Sequence, residues 1–71
     1  MTIVEAQLEK EYSVKSIETD DEGLVKFLFS LGCYEGEPIT VISKKKKILI
    51  VAIKDARYSI DLELARSIVI E

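Results

Sequence analysis

Thr19-Asp20-Asp21-Glu22-Gly23-Leu24-Val25-Lys26-Phe27-Leu28-Phe29-Ser30-Leu31-Gly32 is the stretch that decides the fold. Leu24, Phe27, Leu28 and Leu31 fall at i, i+3, i+4 and i+7, which makes one apolar stripe on a helix. Thr19 and Glu22 have the spacing of a capping box, in which a hydroxyl and a carboxylate each satisfy an orphan backbone N–H. Asp20, Asp21 and Glu22 set negative charge at the positive end of the helix dipole. Gly32 stands where a left-handed C-cap is wanted. The spacing predicts a helix over 19–31 and a sharp exit after it.

Everything around this helix reads as strand. Upstream, Tyr12–Ile17 alternates imperfectly, with Tyr12 and Val14 on one face and Ile17 on the other, which predicts a bulge or an end near Ser16. Downstream, Gly36 and Pro38 mark a turn, and Ile39, Val41 and Ile42 form a second, β-branched strand. Lys44–Lys47 is the next turn. Ile48–Ile53 is a continuous apolar run, expected as a strand buried on both sides. Lys54-Asp55-Ala56-Arg57 is a tight connection into Tyr58, Ile60 and Leu62, which alternate with Ser59 and Asp61. Asp61 can cap a single helical turn, Leu62–Arg66, and Ser67–Ile70 closes the chain as a last strand.

The order is therefore strand, helix, three strands, helical turn, strand. In so small a sheet, five short strands leave exposed edges unless it curls. The expected fold is mainly β: a small, partly open barrel of about five short strands, with one helix after the first strand and a helical turn before the last. With 71 residues, the chain is read as a single domain, 1–71.

Composition narrows the function classes. At 48% apolar and 32% charged residues the chain is globular rather than disordered. No apolar run approaches the roughly 18 residues of a membrane span. The N-terminus lacks the basic and apolar regions of a secretory leader. One cysteine, Cys33, cannot form an internal disulfide, so a cytoplasmic location is expected. A net charge of −3 argues against general nucleic-acid affinity. The charge is uneven: the first third is acidic, and Lys44, Lys45, Lys46 and Lys47 form one basic knot.

The segment Leu24–Gly36 resembles the helix-and-turn signature of the ferrous iron transport protein A (FeoA) family: a leucine-spaced helix, then Leu31-Gly32, then a turn glycine. Tyr58–Glu71 is similar to that family's closing strand, short helix and final strand. The resemblance covers about Tyr12–Glu71. It implies an SH3-like barrel and a cytosolic partner of the membrane ferrous-iron transporter FeoB, whose cytosolic part carries a GTP-binding domain. The same fold occurs as the last domain of some metal-dependent transcription regulators. Three loops depart from the family pattern: Glu35-Gly36 replaces Pro-Gly, Lys44–Lys47 replaces a Gly-Asp-Pro-type turn, and Lys54-Asp55-Ala56 stands where a glycine is common. Partner surfaces usually lie in loops, so these departures bear on recognition.

The residues offer no catalytic apparatus. Histidine is absent. Cys33 has no histidine to deprotonate it, and no Gly-x-Ser-x-Gly elbow or phosphate-cradling glycine loop occurs. The chain is read as a non-enzyme with no cofactor. Cys33 just past the helix reads as a small buried hydrophobe. Helix capping accounts for the acidic cluster Glu18, Asp20, Asp21 and Glu22, which lacks the spacing of a calcium loop, so no metal site is assigned. Val25 and Phe29 lie beside the main stripe. Ile3, Val4 and Leu8 could cover them; otherwise Phe29 is an exposed anchor. Lys44–Lys47 reads as a solvated turn, or as a contact for an acidic partner or an anionic membrane surface. Clustered lysines there support a weak contact rather than an anchor, and no aromatic residue interleaves with them as nucleic acid would require.

The leading expectation is an adaptor or regulator of ferrous-iron uptake that acts by protein contact, with Phe29 and Lys44, Lys45, Lys46 and Lys47 as its partner surface. The alternatives are a self-associating barrel and a free-standing modulator of a metal-dependent transcription regulator. Direct metal binding ranks below both.

Overall fold

Alternating burial builds the sheet. A computed structural model describes residues 1–71. In β1 (Glu11–Ile17), Tyr12 and Val14 point inward. In β2 (Pro38–Lys44), Ile39 and Val41 do so, and in β3 (Ile48–Ile53), Leu49, Val51 and Ile53. β4 (Ala56–Asp61) contributes Ile60, and β5 (Ile68–Ile70) contributes Ile68 and Ile70. The five strands run antiparallel in the order β4-β3-β2-β1-β5. Helix α1 (Glu22–Ser30) is inserted after β1, and α2 (Leu62–Ser67) joins β4 to β5. β4 pairs only with β3, so its outer edge stays unpaired and the barrel is open there.

Two bulges bend this sheet. The first interrupts β1 between Val14 and Ser16, where the alternation predicts it. Its extra residue, Lys15, returns Ile17 to the core side, where Ile17 packs half-buried instead of facing away. The second interrupts β2 between Val41 and Ser43. It brings Lys44 opposite the buried Leu49, and the Lys44 ammonium donates to the Val4 carbonyl at 2.8 Å. That bond ties the N-terminal segment to the sheet. The segment also bridges β2 through Leu8 and Val41, and its 3-10 turn, Ile3–Glu5, packs on α2 and β5.

Four details differ from the sequence reading. β3 buries one face only: Ile50 and Ala52 are half-buried, and Ile48 is exposed on the outer side of the sheet. A continuous apolar run here serves a sheet with one solvated face. α1 begins at Glu22, and its cap is Asp21, whose Oδ1 accepts from the Gly23 and Leu24 N–H groups at 2.9 and 3.3 Å. Thr19 acts one step earlier, accepting from the Asp21 N–H at 3.1 Å. Of the helical stripe only Leu28 is buried, with Leu24 and Leu31 half-buried and Phe27 exposed. The N-terminal segment leaves Phe29 exposed, because its turn lies on α2 and β5 and its later residues follow β2.

The end of the chain follows the reading closely. Asp61 caps α2 by accepting from the Leu64 N–H at 2.8 Å. Ala65 and Ser67 are buried beneath it, and the Ser67 hydroxyl donates to the Leu64 carbonyl at 2.6 Å.

Candidate interaction surface

The exit from α1 shapes the surface. Gly32 adopts φ +91°, and the chain reverses in a Schellman motif: the Cys33 N–H donates to the Leu28 carbonyl at 3.0 Å and the Gly32 N–H to the Phe29 carbonyl at 2.9 Å. Leu28 and Cys33, the two residues this motif brings together, are both fully buried. Burial pushes the Cys33 thiol up to about 11, so the cysteine is an inert part of the core.

With Leu28 and Cys33 facing inward, their neighbours Phe29 and Tyr34 face out together. Their ring centroids are 5.3 Å apart at an interplanar angle of 45°, and they are 42% and 44% exposed. Lys54 completes the ledge from the β3–β4 turn. Its ammonium lies 5.9 Å from the Tyr34 ring centroid and 3.7 Å from Glu37 Oε1. Its stem passes over Gly32, where a Cβ would come within 3.0 Å of Lys54 Cε. As the first residue of the two-residue β3–β4 turn, Lys54 holds φ +56°, a backbone region that costs side-chain-bearing residues roughly 1–2 kcal/mol. A shallow depression of about 310 Å³ adjoins the ledge, lined by Glu11, Glu37, Pro38, Thr40, Ala52 and Lys54. Phe29, Tyr34, Lys54 and Glu37 thus form one mixed aromatic and charged surface.

The lysine knot is elsewhere. The register pairs Ile39 with Ile53 at one end of the β2–β3 hairpin and Lys44 with Leu49 at the other. Five residue steps on β2 and four on β3 separate the ends, about 14–17 Å at ~3.4 Å per residue. Lys45–Lys47 form the hairpin tip, closed by a 2.8 Å bond from the Lys45 N–H to the Ile48 carbonyl. All three side chains are exposed, and Ile48 beside them is 41% exposed. Phe29 and the lysine turn are therefore two patches at opposite ends of one hairpin.

Tyr34, Lys54 and Glu37 escape a reading by periodicity, because only the C-cap and the two-residue turn bring them together. The departure from glycine at Lys54-Asp55-Ala56 is the one sequence signal for them. In the acidic cluster, the Asp21 carboxylate is committed to the helix cap, and no three Cys, Asp or Glu side chains converge to hold a metal ion.

The FeoA domain family model matches residues 1–71. The chain belongs to the FeoA family. The zinc complex of Stenotrophomonas maltophilia FeoA, a procaryotic SH3 domain protein, superposes with a TM-score of 0.89 at 22% identity, covering 100% of this chain and 89% of that one. Iron(II) transport protein A of Clostridium thermocellum superposes at 0.90 and 19% identity, covering 100% of this chain and 44% of that one. A manganese-dependent transcriptional repressor superposes at 0.88 and 17% identity over 96% of this chain and 39% of its own length. No curated protein sequence matches the chain. The SH3-like fold is thus shared by FeoA proteins and by parts of metal-dependent repressors. No helix of the molecule is long and apolar enough to cross a membrane.

Proposed function

We propose that this FeoA-family chain is a non-enzymatic cytoplasmic regulator of ferrous-iron uptake that binds the cytosolic domain of a FeoB-type transporter. The observation that carries the reading is the family match along residues 1–71. Iron is the transporter's cargo, and this chain acts by contact. The contact surface is the Phe29–Tyr34 ledge with Lys54 and Glu37. Exposed aromatic rings give large contact area at small entropic cost, and Lys54 sets a charge over the Tyr34 ring. Titration calorimetry of this protein against the GTP-binding domain of the transporter from the same organism tests it. Saturable micromolar binding, weakened at least tenfold by Phe29→Ala, is the expected result. Absence of heat both with and without GTP analogue overturns the transporter assignment.

A second reading is favoured by the repressor superpositions: a free-standing modulator of a metal-dependent transcription regulator. Titration against that organism's own repressor separates the two, since heat with the repressor alone moves the assignment to gene regulation.

A further inference from the structure

The hairpin tip Lys45–Lys47 is left without a role by the aromatic ledge, and its chemistry is distinct. The chain carries a net −3, yet three consecutive ammonium groups project from one tip with no carboxylate in contact. The molecule's one side-chain ion pair, Lys54–Glu37, lies at the other end of the hairpin. Lys44 is folded back on the Val4 carbonyl, which fixes the base of the tip against the N-terminal segment. Ile48, which follows the tip in sequence and pairs across to Asp61 of β4, leaves an apolar side chain 41% exposed at its base. Ammonium groups flanked by an exposed isoleucine fit a surface that is anionic outside and apolar just beneath.

We propose that the Lys45–Lys47 tip with Ile48 is a docking point for an anionic phospholipid surface. Headgroup phosphates neutralise the three lysines, and Ile48 reaches the boundary with the acyl chains. The contact is weak and reversible. It rests on the transporter reading only for its purpose: a chain standing on its tip would hold the Phe29–Tyr34 ledge away from the bilayer by the length of the hairpin, about 15 Å at four to five strand steps.

The test is co-sedimentation of the full chain with vesicles of phosphatidylglycerol and phosphatidylcholine, against pure phosphatidylcholine, in the absence of any transporter. Binding to the mixed vesicles alone is expected. It should fall on the order of a hundredfold in a Lys45→Gln, Lys46→Gln, Lys47→Gln variant and disappear in high salt. Circular dichroism of the variant checks that the barrel is intact. Equal sedimentation with both vesicle types, or an unchanged partition of the folded variant, overturns the proposal. So does a tip that leaves vesicles free while the variant loses affinity for an acidic protein partner. None of these results depends on whether the transporter domain binds.

Discussion

Lys54 and Cys33 show how single residues carry opposed constraints. Lys54 holds a left-handed backbone that disfavours it by roughly 1–2 kcal/mol. Its exposed ion pair with Glu37 returns about 0–1 kcal/mol, and its position over Tyr34 about 0.5–1. Lys54→Ala keeps the strain and loses the contacts, so its urea midpoint should fall. Lys54→Gly loses both and should equal or exceed the parent, while binding the transporter domain less tightly. A glycine variant less stable than the alanine one would show that the turn is unstrained. Cys33 makes a second prediction, through pH. Burial pushes its thiol up to about 11 in the fold, against 9.0 for a solvated thiol. Between those values the unfolded chain has released a proton that the folded chain retains, so stability falls as pH rises from 9 to 11. The loss is on the order of 2–3 kcal/mol. Urea unfolding at pH 8 and pH 10.5 should show it, with a shallower fall in Cys33→Ala.

At the scale of elements, α1 is attached by little. Leu28 is its one fully buried residue, while the strands hold Ile39, Val41, Leu49, Val51 and Ile53 in a shared interior. Leu28→Ala should cost about 2–5 kcal/mol, and Asp21→Ala about 1 by removing the cap. Amides of α1 should exchange with deuterium faster than those of β2 and β3, because local opening of the helix exposes so little. Uniform protection across both would contradict this. The same contrast explains what the sequence made legible. Helix punctuation, β-branched runs and turn residues located the five strands and both α-helices, since each signal is local, but not the 3-10 turn Ile3–Glu5. The cap shifted from Thr19 to Asp21 because several acidic and hydroxyl residues compete within one turn, and backbone geometry selects among them. The single-sided burial of β3 was hidden for another reason. Ile48 and Ile50 are apolar on a face that water reaches, so alternation never entered the sequence. The ledge was half visible. Phe29 could be picked out beside its helical stripe, but Tyr34 joins it only through a reversal at Gly32, and Lys54 arrives from a turn 22 positions further along the chain.

Across the whole molecule, the β2–β3 hairpin is a rigid spacer with different chemistry at each end. Its pairing runs from Ile39–Ile53 to Lys44–Leu49 through one bulge between Val41 and Ser43, and its inward side chains are part of the core. The ends therefore cannot approach one another without unfolding the sheet. They should behave as independent contacts, and substitutions more than about 7–10 Å apart without shared partners should act additively. Phe29→Ala or Tyr34→Ala should weaken binding to the transporter domain and leave the partition onto anionic vesicles unchanged. The triple lysine-to-glutamine variant should do the reverse in solution. On vesicles that carry the transporter domain, the two contacts act together, since the first raises the effective concentration for the second. Apparent affinity there should exceed that in solution and fall for either variant. Raising salt should remove the lysine contribution first, because exposed charges are screened while aromatic contacts are not. Should salt and the lysine substitutions leave the vesicle-bound affinity untouched while Phe29→Ala abolishes it, the hairpin would be a one-ended device, and the tip a solvated turn.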